Sequence, residues 1–243
     1  MTKANSNSET MVTDSASLDP GQLLNRLTSS DVLKETTHGI ALDEEFSTQV
    51  AGRKQDVEEC SREQRREQVQ ELADAAEQAD VIANAAVDDP EFLGWLFALS
   101  DALPQATTTT LIRSVPQLQQ FGERPARSDG APELFVPVRG DQVATVTGMF
   151  PRSILYVWLD DCEECDLVKE SFNEIFEQRP EGVELFAVYG PEWAELLHQE
   201  YEIKGGPVVA YMVRDEIDAR MYGAKHGQIY EKELEELRKT PLP

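Results

Sequence analysis

Two cysteines three residues apart, Cys162 and Cys165, lie in the stretch WLDDCEECD at residues 158–166, among five carboxylates. A pair at this spacing can cycle between dithiol and disulfide, supply half of a tetrahedral metal site, or be incidental. The redox chemistry needs one sulfur to ionise, because the thiolate is the attacking species. A helix N-terminus would favour that charge, whereas Asp160, Asp161, Glu163, Glu164 and Asp166 each oppose it. A metal site needs two further ligands. The remaining candidates, Cys60, His38, His198 and His226, are scattered and form no second CxxC and no HxxxH, so no metal is expected. His198 and His226 have no nucleophile and carboxylate at motif spacing, which argues against a hydrolytic triad. Lys204-Gly-Gly-Pro207 lacks the arrangement of a phosphate loop, and no cofactor is expected.

The elements that position the pair are readable around it. Residues 153–159, SILYVWL, form an apolar run of strand length. Cys162 then opens a helical pattern in which Leu167, Val168, Phe172, Ile175 and Phe176 share a face. The cysteines thus sit where a buried strand hands over to a helix. Further strands are predicted over residues 183–188, 208–213 and 217–222, with helices over 192–201 and around Leu234 and Leu237. Upstream, Leu134, Val136 and Val138 alternate, and Val143, Thr145 and Thr147 alternate again beyond Arg139-Gly140-Asp141, which predicts two short strands joined by a turn.

This order of strand, CxxC, helix, strand, helix, Gly-Pro, hairpin, Gly-Ala and helix resembles the thioredoxin superfamily over roughly residues 134–240. Trp158 stands four residues before the first cysteine, Pro207 stands just ahead of a hairpin, and Gly223-Ala224 follows it, as in that family. The resemblance implies an α/β fold, a central mixed sheet flanked by helices. It implies dithiol–disulfide exchange with protein substrates and a reductase or other electron donor. Cys162, the more exposed member, would be the nucleophile and Cys165 the resolving thiol. Pro207 would be a cis-proline preceded by Gly206, with Trp158 packed beside the pair. The chain departs from the family at the site itself. Glu163 and Glu164 replace Gly-Pro between the cysteines, Asp161 replaces a tryptophan, Glu170 replaces a helix-kinking proline, and Tyr156 stands where thioredoxin buries an aspartate. The buried proton acceptor is therefore missing. The alternative reading is a thioredoxin-like binding or redox-sensing module without general reductase activity. Glutaredoxin-like use of glutathione is not expected, since no Thr-Val-Pro is present.

The rest of the chain divides by composition. Residues 1–45 read as a mostly disordered polar tail with a short amphipathic helix near Leu23, Leu24 and Leu27. Residues 46–104 read as a helical extension: one long helix over 48–87 with small residues on one face, then a second helix opened by Asp89 and Pro90, together a helical hairpin. Cys60 falls on a polar stretch of the first helix. The region 48–103 also offers a surface for a partner helix or self-association. Residues 105–132 read as a linker and 133–243 as the thioredoxin-like domain, which predicts that a fragment from about residue 130 folds alone. The 243 residues carry 46 Asp and Glu against 22 Lys and Arg, a net charge of −24, and only eight of the basic residues are lysine. Such a surface repels nucleic acid and anionic membranes. It suits a salt-rich cytoplasm, where counterions screen self-repulsion. No secretory signal or run of 18 apolar residues is present, so an intracellular, soluble protein is expected.

Overall fold

The computed structural model describes residues 20–37 and 39–242; the tail expected before residue 20, and His38, lie outside them. From Pro20 the segment read as tail is structured. It forms helix α1 (Pro20–Ser29) and an antiparallel hairpin of β1 (Leu33–Thr36) and β2 (Gly39–Leu42). The hairpin reverses at Gly39, whose φ of +120° is open to glycine and strained for other residues.

Five helices follow: α2 (Glu44–Glu59), α3 (Arg62–Leu72), α4 (Ala76–Ala86), α5 (Pro90–Ala102) and α6 (Thr108–Leu118). The long helix expected over 48–87 is broken twice. The first break is a capping box, in which Ser61 and Gln64 exchange side-chain and backbone hydrogen bonds and start a new helix. Arg65 donates to the carbonyl oxygens of Val57 and Val87 there, satisfying the end of α2. At the second break the start of α6 docks: the Thr108 amide donates to Asp74 (3.0 Å) and its hydroxyl to the Leu72 carbonyl oxygen (3.2 Å). The threonine run read as linker is thus a helix start, with Thr107 as N-cap.

The C-terminal half runs β3 (Val136–Pro137), α7 (Val143–Met149), β4 (Arg152–Trp158), α8 (Glu163–Ile175), β5 (Glu184–Tyr189), α9 (Ala194–Tyr201), β6 (Val208–Val213), β7 (Glu216–Tyr222) and α10 (Gly227–Lys239). The sheet order is β3-β5-β4-β6-β7; the first three strands are parallel, and β6 and β7 are antiparallel additions. Residues 143–147, expected as a strand, form α7 instead. Gly140–Gln142 is a 3-10 turn that leads straight into it, and every residue of 143–147 except Ala144 is buried. Lodged between sheet and extension, this segment buries several sides at once, so apolar alternation carried no information about its period. A helix does therefore follow the first strand.

The central strands bury both faces, which is why they read as unbroken apolar runs. Ile154, Tyr156 and Trp158 alternate with Leu155 and Val157, and the two sets enter different cores. One core joins the sheet to α8 and α10. The other joins it to α7, α9 and the extension, with Phe92, Leu93, Leu96, Val115 and Leu118 buried in the same cluster as Val136, Val143 and Phe186. Polar groups secure the joint. Arg139, from the Arg-Gly-Asp triplet, is 6% exposed and pairs with Glu91 and Asp141 at 3.1 and 3.0 Å. Buried Glu184 is held between Arg113 (2.7 Å) and Arg179 (2.6 Å).

Candidate functional site

Strand β4 ends at Trp158, and four residues, 159–162, carry the chain to α8. Asp161 takes a left-handed turn at φ 49°, a conformation that aspartate tolerates better than most residues. Cys162 is the N-cap of α8: its Sγ accepts from the Cys165 amide at 3.2 Å. The two cysteines form a disulfide, with Cα atoms 5.2 Å apart. Cys162 is half-exposed and Cys165 is 5% exposed, so a partner sulfur reaches the first before the second. Glu163 and Glu164 are exposed.

The other residues singled out from the sequence converge on this end of the sheet. The Gly206–Pro207 peptide bond is cis. Val157 pairs with Val208, which sets Pro207 level with Trp158 beside the end of β4. Gly206 lets the chain approach closely, since a Cβ there would meet the Val157 carbonyl oxygen and Leu159 at 3.2 Å. The Gly223 amide donates to the Pro207 carbonyl oxygen at 2.9 Å, and a Cβ on Gly223 would meet the Glu164 carboxylate at 3.3 Å. Glu164 thus rests against the glycine that ends the hairpin. The remaining sulfur, Cys60, is the C-cap of α2 and accepts weakly from Gln68. His226 is the N-cap of α10, and His198 lies in α9.

Tyr156 is fully buried, and its hydroxyl donates to the Cys165 carbonyl oxygen at 3.0 Å. Burial pushes its pKa above the ordinary tyrosine value, so it stays neutral and takes no proton near pH 7. Tyr156→Phe should cost about 0.5–1.5 kcal/mol, the usual net worth of one such bond. A shift of the urea midpoint with unchanged slope would register it, and an unshifted midpoint would show the bond to be idle.

Residues with no signal in the sequence complete the site. Arg127, from the segment between α6 and β3, makes a two-pronged ion pair with Asp160 (2.8 and 2.9 Å) and another with Asp129 (2.6 Å). Its guanidinium lies 4.0 Å from the Tyr189 ring centroid and 5.1 Å from that of Trp158. Tyr189 in turn donates to Asp160 and packs on Trp158 at 4.7 Å between centroids. Gly130 lies flat on Trp158, where a Cβ would overlap the indole. The hydrogen bonds from Arg127 hold Asp160 and Asp129 below the usual carboxylate range, and the Asp160 bond raises Tyr189. An arginine in an irregular stretch has no period to mark it, and its partner Asp160 is 33 residues away.

A five-stranded mixed sheet, helices on both faces, a CxxC at a helix N-terminus and a cis-proline at the same sheet end give the C-terminal half of the chain a thioredoxin-like fold. Solved structures similar to this chain include a mutant thioredoxin from Halobacterium salinarum NRC-1, 17% identical, with a TM-score of 0.39 over 46% of this chain and 97% of that one. Another is the thioredoxin Mala s 13 of Malassezia sympodialis, 18% identical, with a TM-score of 0.37 over 42% of this chain and 91% of that one. No protein-family model and no curated protein matches the chain.

Proposed function

We propose that this chain is a thiol–disulfide oxidoreductase that acts on protein disulfides through Cys162 and Cys165. The observation that carries the reading is the asymmetric pair: a half-exposed sulfur at a helix N-terminus, bonded to a buried one, with a cis-proline at the same end of the sheet. In the reduced pair the helix start favours the Cys162 thiolate. The thiolate attacks one sulfur of a substrate disulfide, forming a mixed disulfide and releasing the other substrate sulfur, which takes up a proton. Cys165 then gives its proton to water and attacks Cys162 Sγ. The substrate leaves as a dithiol with two electrons, and the pair is oxidised to the disulfide. A reductase or other dithiol donor returns the electrons. Trp158 and Pro207 stand at the sheet end that carries the pair, Gly206 keeps the neighbouring backbone close, and Glu163 and Glu164 set the charge a substrate meets. The acidic surface supports a salt-rich cytosol as the working place; among the described residues no helix is long and apolar enough to cross a membrane.

One observation favours a second reading. Tyr156, neutral and buried, supplies no base for Cys165, which suits a redox-sensing or binding module that exchanges slowly. Cys165→Ser separates the two. The variant should accumulate covalent complexes with proteins, released by dithiothreitol and absent when Cys162 is also replaced by Ser. If the unsubstituted pair opens and closes but transfers electrons to no protein disulfide in dilute or molar salt, the binding reading stands instead.

A further inference from the structure

The segment carrying Arg127 is tied to β4, β5 and α8 at the disulfide end of the sheet. Arg127 binds Asp160, just past β4, and stacks on Tyr189 at the end of β5. From α8, Lys169 donates to the Asp129 carbonyl oxygen at 2.7 Å, and Asn173 accepts from the Glu133 amide at 2.9 Å. Single exposed ion pairs contribute little. A two-pronged arginine–carboxylate pair that also stacks on aromatic rings is the geometry in which such a pair counts.

We infer that Arg127 is a positioning residue for the Cys162 nucleophile, acting through Asp160 to neutralise one of the five flanking carboxylates. The inference rests on Cys162 being the attacking thiol. Asp160 stands two residues before Cys162, and the guanidinium is the charged group from outside the loop that offsets it. The carboxylates of Asp161, Glu163, Glu164 and Asp166 stay exposed. Without Arg127 the Arg127–Asp129–Asp160 cluster goes from one net negative charge to two, and ionisation of Cys162 is disfavoured. In molar salt the Debye length falls to about 3 Å and that difference shrinks.

The test is alkylation of reduced Cys162 by iodoacetamide at pH 7, in dilute buffer and in molar salt, with Cys60→Ser in every protein to leave one fast thiol. Arg127→Ala should slow the reaction about threefold in dilute buffer, the size expected for one nearby charge in a water-like dielectric. Molar salt should abolish the difference. Arg127→Lys should keep most of the rate, and adding Asp160→Asn to Arg127→Ala should restore it. Equal rates with and without Arg127 in dilute buffer would overturn the inference. So would a slowing that persists in molar salt or survives Asp160→Asn, since that is a purely structural effect. Alkylation needs no protein partner, so a failure of the oxidoreductase reading appears separately, as absent turnover of protein disulfides.

Discussion

A chain cut to residues 130–243 is expected to lose cooperative folding, although the sequence alone argues that it contains a complete thioredoxin-like unit. The reason lies in the core shared by α7, the sheet and the extension. Val136, Val143, Val146 and Phe150 are buried in one cluster with Phe92, Leu93, Leu96, Val115 and Leu118. Fully burying one such side chain is worth about 1.5–3 kcal/mol. Exposing a few of them removes a large share of the about 5–15 kcal/mol that holds a typical domain together. Polar losses add to this: buried Arg139 would lose Glu91, and buried Glu184 would lose Arg113. Near-UV circular dichroism and a urea transition measure the outcome. The fragment should show weak aromatic signal and a shallow transition. A sharp transition with the full aromatic signal would mean that the extension is a separate unit and that the boundary at residue 133 is a true domain limit.

Phe172→Ala is expected to cost about 3–5 kcal/mol, the range for emptying a buried aromatic site. Phe172 is 1% exposed and packs against Phe135, Tyr230 and Phe176 at centroid distances of 4.9, 4.8 and 5.6 Å. It lies on the face of α8 that seats the helix on the sheet, and α8 carries both cysteines at its start. Phe172→Leu refills most of the volume and should cost well under half as much. Equilibrium urea unfolding of the three proteins reads the difference. A loss below about 1 kcal/mol in Phe172→Ala, far under the range for a filled aromatic site, would mean that the helix is held elsewhere and that this cluster does not position the disulfide.

How much of this was legible beforehand depended on the range of the cause. The strand before Cys162, the helix after it and the hairpin after Pro207 follow from local patterns: unbroken apolar runs for strands buried on both faces, and a helical period for α8 and its buried Val168 and Phe172. The CxxC, Trp158 and Pro207 could be aligned for the same reason, because each sits at a fixed offset from an element end. Other local signals are present but weak beside the long helical period around them. Ser61 with Gln64 spells a capping box inside an apparent long helix, and Thr107 caps α6. Other features belonged to the tertiary structure alone. Residues 143–147 carry strand-like letters but become α7, because sheet and extension bury them from both sides. Arg139 spells a turn by its neighbours, yet it is a buried anchor because Glu91 of α5 arrives beside it. Arg127 reaches the loop before Cys162 only because its segment is folded back over Trp158 and tied to α8. The sequence by itself determined which two sulfurs lie close enough to pair and which strand and helix hold them, since those choices are made within a few residues. Which charges surround the Cys162 sulfur, and whether the C-terminal half can stand without its extension, were decided by contacts between distant segments, and no local period or propensity encodes those.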